Sequence, residues 1–425
     1  MDIEKMLQEM TLEDKIALCS GADFWQTKKF EKYGIPSLFM CDGPHGLRKQ
    51  EAADMLGVNN SRKATCFPAA VTTAGSWDPE LLTAVGSAIG EEARDQGVGL
   101  VLGPGANLKR NPLCGRNFEY FSEDPYLAGK LAAAFIRGVE AQGVGTSLKH
   151  FAANSQELRR FTSDSVMDAR TLRELYLTAF EIAVKEGRPS TVMCAYPKLN
   201  GIHCSDHKEL LTDILRTEWG FDGMVVTDWG AMNDRIRGFQ AGCDLNMPGG
   251  SGFMEKEAAQ AVREGRLSVE QIDESARRVL RLVFRSAENR EADASCDYEA
   301  HHDLARRAAA EGAVLLKNEG DLLPLKKGAK LAVIGSMART MRYQGAGSSH
   351  INPTRLSEPI YFFPDAVYAP GCDDRGDTTE LLLGEAAAAA KSAGAAIIFA
   401  GLPPRYESEG FDRENMKMPD GQLRM

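Results

Sequence analysis

Between Ser37 and about Pro248 the chain alternates short apolar runs with longer amphipathic segments. The runs are SLFMCDGP, VGLVLGPGANL, VGTSLKHF, TVMCAY, GMVVTDW and AGCDLNMP, and each ends in a turn rich in polar side chains. A short, unbroken apolar run bounded by turn residues is the pattern of a strand covered on both faces, as in a parallel sheet with helical crossovers. The intervening segments predict helices near 78–97, 124–142, 168–188 and 205–219. Two carry start signals, because Asp78 precedes Pro79 and Asp124 precedes Pro125. A capping carboxylate there meets a residue whose fixed φ suits the first turn. This strict alternation predicts an α/β fold, a TIM-like (β/α) barrel over 1–285, whose C-terminal strand ends bring their side chains to one face.

The pattern changes after the barrel. Residues 286–300, SAENREADASCDYEA, are polar and aperiodic and read as a linker. From 301 to 425 α/β alternation resumes, with a helix around HDLARRAAAEGAVLLKN, a strand in KLAVIGSMA, a helix in EAAAAAKSA and a strand in AAIIFAGL. Two or three strands are few for a sheet, and the chain stops at QLRM as a helix starts after Pro419, so this part predicts an incomplete α/β domain.

Composition narrows the function classes. At 425 residues, 43% hydrophobic and 26% charged, the chain can bury a large core without staples and has the makeup of a soluble globular enzyme. A net charge of -10 opposes attraction to nucleic-acid phosphates and anionic membranes, so neither partner is expected. No stretch approaches the roughly 20 apolar residues of a membrane span. A neutral small molecule suits this surface, and homo-oligomerisation stays open. Nine cysteines without a C-x-x-C pair, together with the charged N-terminal stretch MDIEKMLQEMTLEDK, predict a reducing, cytoplasmic setting.

Candidate chemistry collects at the predicted strand ends: Asp42 with Arg48, Arg110 with Arg116, Lys149 with His150, Tyr196, and Asp228 with Trp229; a Glu407/Glu409 pair follows in YESEGFDR. Charged groups around an aromatic face describe a pocket for a pyranose, whose hydroxyls take charge-assisted hydrogen bonds. Glycoside cleavage further requires two carboxyl groups, which Asp228 and a glutamate of the 407–409 loop supply. Alone, Asp228 before WGAMNDRI reads as a helix cap; among these neighbours, with Lys149, Arg110 or Arg116 to keep it ionised, it reads as a nucleophile. GAGSSH at 345–350 lacks the ending of a phosphate loop and reads as a tight interface loop. His203 and His207 sit where a loop enters a helix, so no metal site is assigned to them, and no cofactor is expected.

The segments CDGPHGLR, GPGANLKRNPLCGRNFEYFSEDPYL, SLKHFAANSQE, TVMCAYPKLNG, GFDGMVVTDWGA, EGAVLLKNEGDLLPL and ESEGFDRENMKMPDGQ resemble, in order, the signature blocks of glycoside hydrolase family three. The resemblance runs over essentially the whole chain and implies a barrel followed by an incomplete α/β sandwich domain. It implies a retaining β-glycosidase of the β-glucosidase type acting on a β-glucoside or oligosaccharide, with a β-xylosidase or α-arabinosidase, or an inactive sugar-binding fragment, as alternatives. By the same resemblance Asp228 is the nucleophile and Glu409 the acid/base, with Glu407 the alternative. The resemblance further implies that Asp42, Arg48, Arg110, Lys149, His150, Met193, Tyr196 and Trp229 bind the sugar. The stretch RRFTSDSVMD contains Asp164 but no histidine, which disfavours the branch acting on amino sugars.

Overall fold

The computed structural model describes residues 2–50 and 61–425. Five parallel strands form its main sheet: β1 (Met40–Asp42), β2 (Leu100–Leu102), β3 (Gly145–Phe151), β4 (Thr191–Cys194) and β5 (Met224–Thr227), hydrogen-bonded in that order. Every residue of these strands is buried, Asp42, Lys149 and His150 at the strand ends included, as in a sheet covered on both faces. Register is set by Met40 opposite Leu100, Leu100 opposite Gly145 and Thr191 opposite Met224.

The ring is completed by isolated pairs rather than full strands. Val226 bridges Leu245, Asn246 bridges Ser20, and Gln26 pairs antiparallel with Phe39 just before β1. The sixth predicted run, AGCDLNMP, is therefore a bridge. Asp244 explains this, because its carboxylate accepts the Val225 amide at 2.8 Å while held by Arg216 at 2.7 Å and Arg278 at 3.0 Å. A side chain thus occupies a donor that a ladder would otherwise use.

The helices follow the capping signals. α1 (Pro79–Asp95) starts where Asp78 accepts the Glu80 amide, and α2 (Pro125–Ala141) where Asp124 accepts those of Tyr126 and Leu127. The long α3 (Val269–Glu288) overruns the expected start of the linker, and α4 (Tyr298–Glu311) begins inside it, leaving 289–297 as the connection. α4 lies on the barrel: Ala305 and Ala308 share a core with Leu81 and Val85 of α1, and His301 reaches Glu92 at 2.9 Å. The helix expected to continue through GAVLLKN ends at Glu311, and Leu316 beyond it is 91% exposed.

The second domain holds three parallel strands, β6 (Leu331–Ile334), β7 (Val367–Ala369) and β8 (Ala395–Ile398), in the order β7-β6-β8. One helix, α5 (Glu380–Lys391), covers them through a small core of Ala332, Ile334, Ala369, Ala386 and Ala389. Asn352 and Pro353 pair in parallel with Lys63 and Ala64, joining this domain to the barrel.

Candidate active site

The strand ends open into a cavity of about 430 Å³ whose wall includes Asp42, Arg48, Arg116, Lys149, His150, Met193, Tyr196, Asp228 and Trp229 from the barrel and Gly347, Ser348 and Glu409 from the second domain. Asp228 directly follows β5, its amide donating to the Cys194 carbonyl at 3.0 Å, so the strand register fixes its position. One carboxylate oxygen, Oδ1, accepts the Trp229 amide at 2.7 Å. The other, Oδ2, is buried without a hydrogen bond and lies 3.5 Å from His150 Nε2. Burial pushes the Asp228 carboxyl above its ordinary range, and Arg116 and Lys149 oppose that rise.

His150 is neutral. Burial holds its ring well below the ordinary histidine value, and the cations Arg116, Lys149 and Arg160 add to the effect. Tyr120 Oη stands 3.1 Å from Nδ1, and with the hydroxyl donating there the ring proton sits on Nε2, facing Asp228. Tyr196 donates to the Trp229 carbonyl at 3.0 Å, and the indole of Trp229 donates to Phe24 at 2.7 Å. Trp25 and Phe24 pack beside Trp229 with ring centres 5.8 and 6.4 Å away. Phe161 also lines the cavity, its ring 4.4 Å from that of Tyr196.

Lys149, also in the cavity wall, lies 3.9 Å from Asp42 and 4.0 Å from Glu119. Burial pushes Asp42 up to about 6, against the pull of Lys149 and Arg48. Arg48 does not spend its guanidinium on Asp42; it donates to the carbonyls of Gly347 at 3.1 Å and Ser348 at 2.9 Å. The GAGSSH segment is thereby an interface loop that also walls the cavity.

Glu409 arrives from the second domain. Its Oε2 accepts the Ser348 amide at 2.7 Å, and its Oε1 lies 2.9 Å from Arg160 and 3.7 Å from Arg116. Burial pushes the carboxyl up, but the two guanidiniums and the Ser348 amide prevail and hold it well below the usual range. Gly347, at φ +82°, sits so close that a Cβ there would lie 2.4 Å from that of Glu409.

Two expectations are corrected. Arg110 is exposed and lies off the cavity; the arginine that enters is Arg116, buried and paired with Glu119 at 2.7 Å. Glu407 turns away to Arg342 at 3.1 Å and lines a separate hollow. Asp164 is exposed and accepts the Gly201 amide at 3.0 Å. His207 accepts the Leu210 amide at 3.2 Å, a capping bond. Arg160, Ser348, Phe161 and the Phe24/Trp25 pair escaped the sequence reading. The Glu157/Arg160 spacing after the Lys-His block was the available sign of the first.

The family described as glycosyl hydrolase family 3 N terminal domain matches residues 12–282, and glycosyl hydrolase family 3 C-terminal domain matches 313–425. A thermostable beta-glucosidase B of Acetivibrio thermocellus is 54% identical over 434 residues, covering 100% of this chain and 58% of the relative. An exo-alpha-(1->6)-L-arabinopyranosidase of Bifidobacterium longum is 45% identical over 434 residues, covering 98% and 57%. The solved structure of beta-glucosidase 3B from Thermotoga neapolitana in complex with alpha-D-glucose superposes with a TM-score of 0.87 at 34% identity, over 99% of this chain and 66% of that one. The chain spans under three fifths of the length of the two curated relatives.

Proposed function

The chain belongs to glycosyl hydrolase family 3, and from that premise we propose that it hydrolyses terminal, non-reducing β-D-glucosyl residues with retention of configuration. Asp228 attacks the anomeric carbon as the leaving oxygen takes a proton from Glu409. Glu409 then activates water against the glycosyl-enzyme. One observation carries the reading: the unpartnered, buried Oδ2 of Asp228 and the carboxylate of Glu409 share a cavity walled by aromatic rings and cations. Asp42, Arg48 and Lys149 face the hydroxyls of the bound sugar, and Trp229 its apolar side. Neutral His150 steadies Asp228 without competing for the proton.

The resting electrostatics favour an ionised Glu409, which suits its role as base. To act as acid it takes up a proton in the free enzyme, so only part of the protein is productive at neutral pH. No step calls for a metal or organic cofactor. The free state of all nine cysteines supports a cytoplasmic setting as part of this reading.

Asp228→Ala is expected to abolish turnover of an aryl β-glucoside while calorimetry still registers glucose binding, and fresh product from the unaltered protein is expected to appear first as the β-anomer by NMR. Undiminished hydrolysis in the variant, or the α-anomer first, would reject the mechanism. The likeness to an arabinopyranosidase favours one second reading, cleavage of an arabinopyranoside on the same machinery. Kinetics on a panel of aryl glycosides separates the two. Failure to cleave even a dinitrophenyl glycoside would leave a sugar-binding fragment.

A further inference from the structure

The two carboxyl groups of the cavity belong to different domains, so their separation is set by whatever seats the 407–412 loop on the barrel. One side chain makes three of the bonds in that seat. Asp412 Oδ1 accepts the amides of Gly115 and Glu157, both at 2.9 Å, and its Oδ2 accepts the amide of Leu158 at 2.9 Å. The first amide neighbours Arg116 and the other two lead into Arg160, the two guanidiniums that face Glu409. A single carboxylate therefore ties both cation-bearing barrel loops to the loop that carries the glutamate. At the same point Gly115 lets the chains touch: a Cβ there would lie 1.8 Å from the Phe411 carbonyl oxygen and 2.3 Å from that of Ser408. The Arg413 amide donates a hydrogen bond to the Leu113 carbonyl at 2.8 Å, and the Gly410 amide one to Glu157 Oε2 at 2.8 Å. Neither Asp412 nor Gly115 lines the cavity.

We propose that Asp412, closed against Gly115, is a positioning residue that sets Glu409 and its arginines relative to Asp228. This rests on the reading of Glu409 as the acid/base. Charge-assisted bonds to three backbone amides are short and directional, and loss of a seat of this kind lets a loop drift by distances that matter to proton transfer.

The test uses the whole chain and two substrates, an alkyl β-glucoside whose leaving oxygen needs protonation and a dinitrophenyl β-glucoside whose leaving group does not. Asp412→Ala, which removes the acceptors, and Gly115→Ala, which wedges the loop away, are expected to lose ~100-fold in kcat/KM on the alkyl glucoside, the scale of lost general acid catalysis, and under ~3-fold on the activated one. Asp412→Asn, which keeps one acceptor oxygen, falls between. Glu409→Gln runs beside them as the reference for a missing acid. Equal losses on both substrates, as general misfolding gives, or no loss in either positioning variant while Glu409→Gln discriminates, would overturn the proposal. A Glu409→Gln protein that does not discriminate would instead remove the acid assignment itself, a result the loop variants cannot mimic.

Discussion

Arg116 and Arg110 are six residues apart in one predicted loop, and the difference between them is a neighbour three positions on. Arg116 has Glu119 to pair with inside the protein, so its charge can be buried; Arg110 pairs with no carboxylate among the described residues and is exposed. That distinction was available in the sequence as an Arg/Glu spacing but is only decisive once the turn that follows β2 is known. Arg160 was harder to read, since it faces both Glu157, at 2.8 Å, and a glutamate 249 positions away. Its consequence is a pH effect with a definite sign. The free enzyme needs Glu409 protonated, a form that thins out as pH rises through that group's pKa, which Arg160 helps to hold low. Arg160→Met removes one cation and raises that pKa; because Glu409 is held below Asp228, it sets the acid limb of kcat/KM, and that limb is expected to move to higher pH. The alkaline limb, set by Asp228, stays nearly fixed because Arg116 and Lys149 are the cations that act on it. A full pH profile of kcat/KM decides this, and a limb that moves down or not at all contradicts the role given to Arg160.

At the scale of elements, the strands and crossover helices were legible because burial on both faces writes unbroken apolar runs, and because the Asp-Pro starts of α1 and α2 state their own caps. The barrel's closure was not, since it consists of single bridges through Ser20 and Asn246 that leave no periodic trace. Nor was the allegiance of α4. Its sequence follows a polar stretch and looks like the opening of a new domain, yet it docks on α1 through Tyr298 to Asp95 at 2.7 Å and through His301. Burial alone would lower the His301 pKa, but Glu92 and Glu91 raise it above the ordinary value. A raised histidine stabilises the fold fully below the ordinary pKa near 6.5, and that contribution fades as pH climbs through the raised one. His301→Gln should therefore cost about 1–2 kcal/mol in urea unfolding at mildly acidic pH and less at alkaline pH, since a bond to a charged partner exceeds one between neutral groups. A difference independent of pH would mean that α4 is held by its apolar face alone.

For the whole molecule, the second domain has little core of its own: its buried centre is mostly alanine, while Leu316, Leu381 and Ile398 are 91%, 71% and 53% exposed. Much of its hold comes from the barrel, through Arg48 to the 347–348 carbonyls, the Asn352 pairing, Asp412, and the Arg160 to Glu409 contact. The cavity lies on that seam, so a ligand filling it touches both domains at once. A sugar-shaped cationic inhibitor at about 100 times its Kd adds about 2.7 kcal/mol to whatever unit must stay folded to bind it. If that unit is both domains together, calorimetry is expected to show one heat-unfolding transition that moves upward as a whole with the inhibitor. In Asp412→Ala the seam is weakened, so a second-domain transition should separate at lower temperature and respond less to the same inhibitor. Two separate transitions in the unaltered protein, with only the larger one shifted by the ligand, would show that the barrel binds sugar unaided and that the domains are coupled too weakly to share a site.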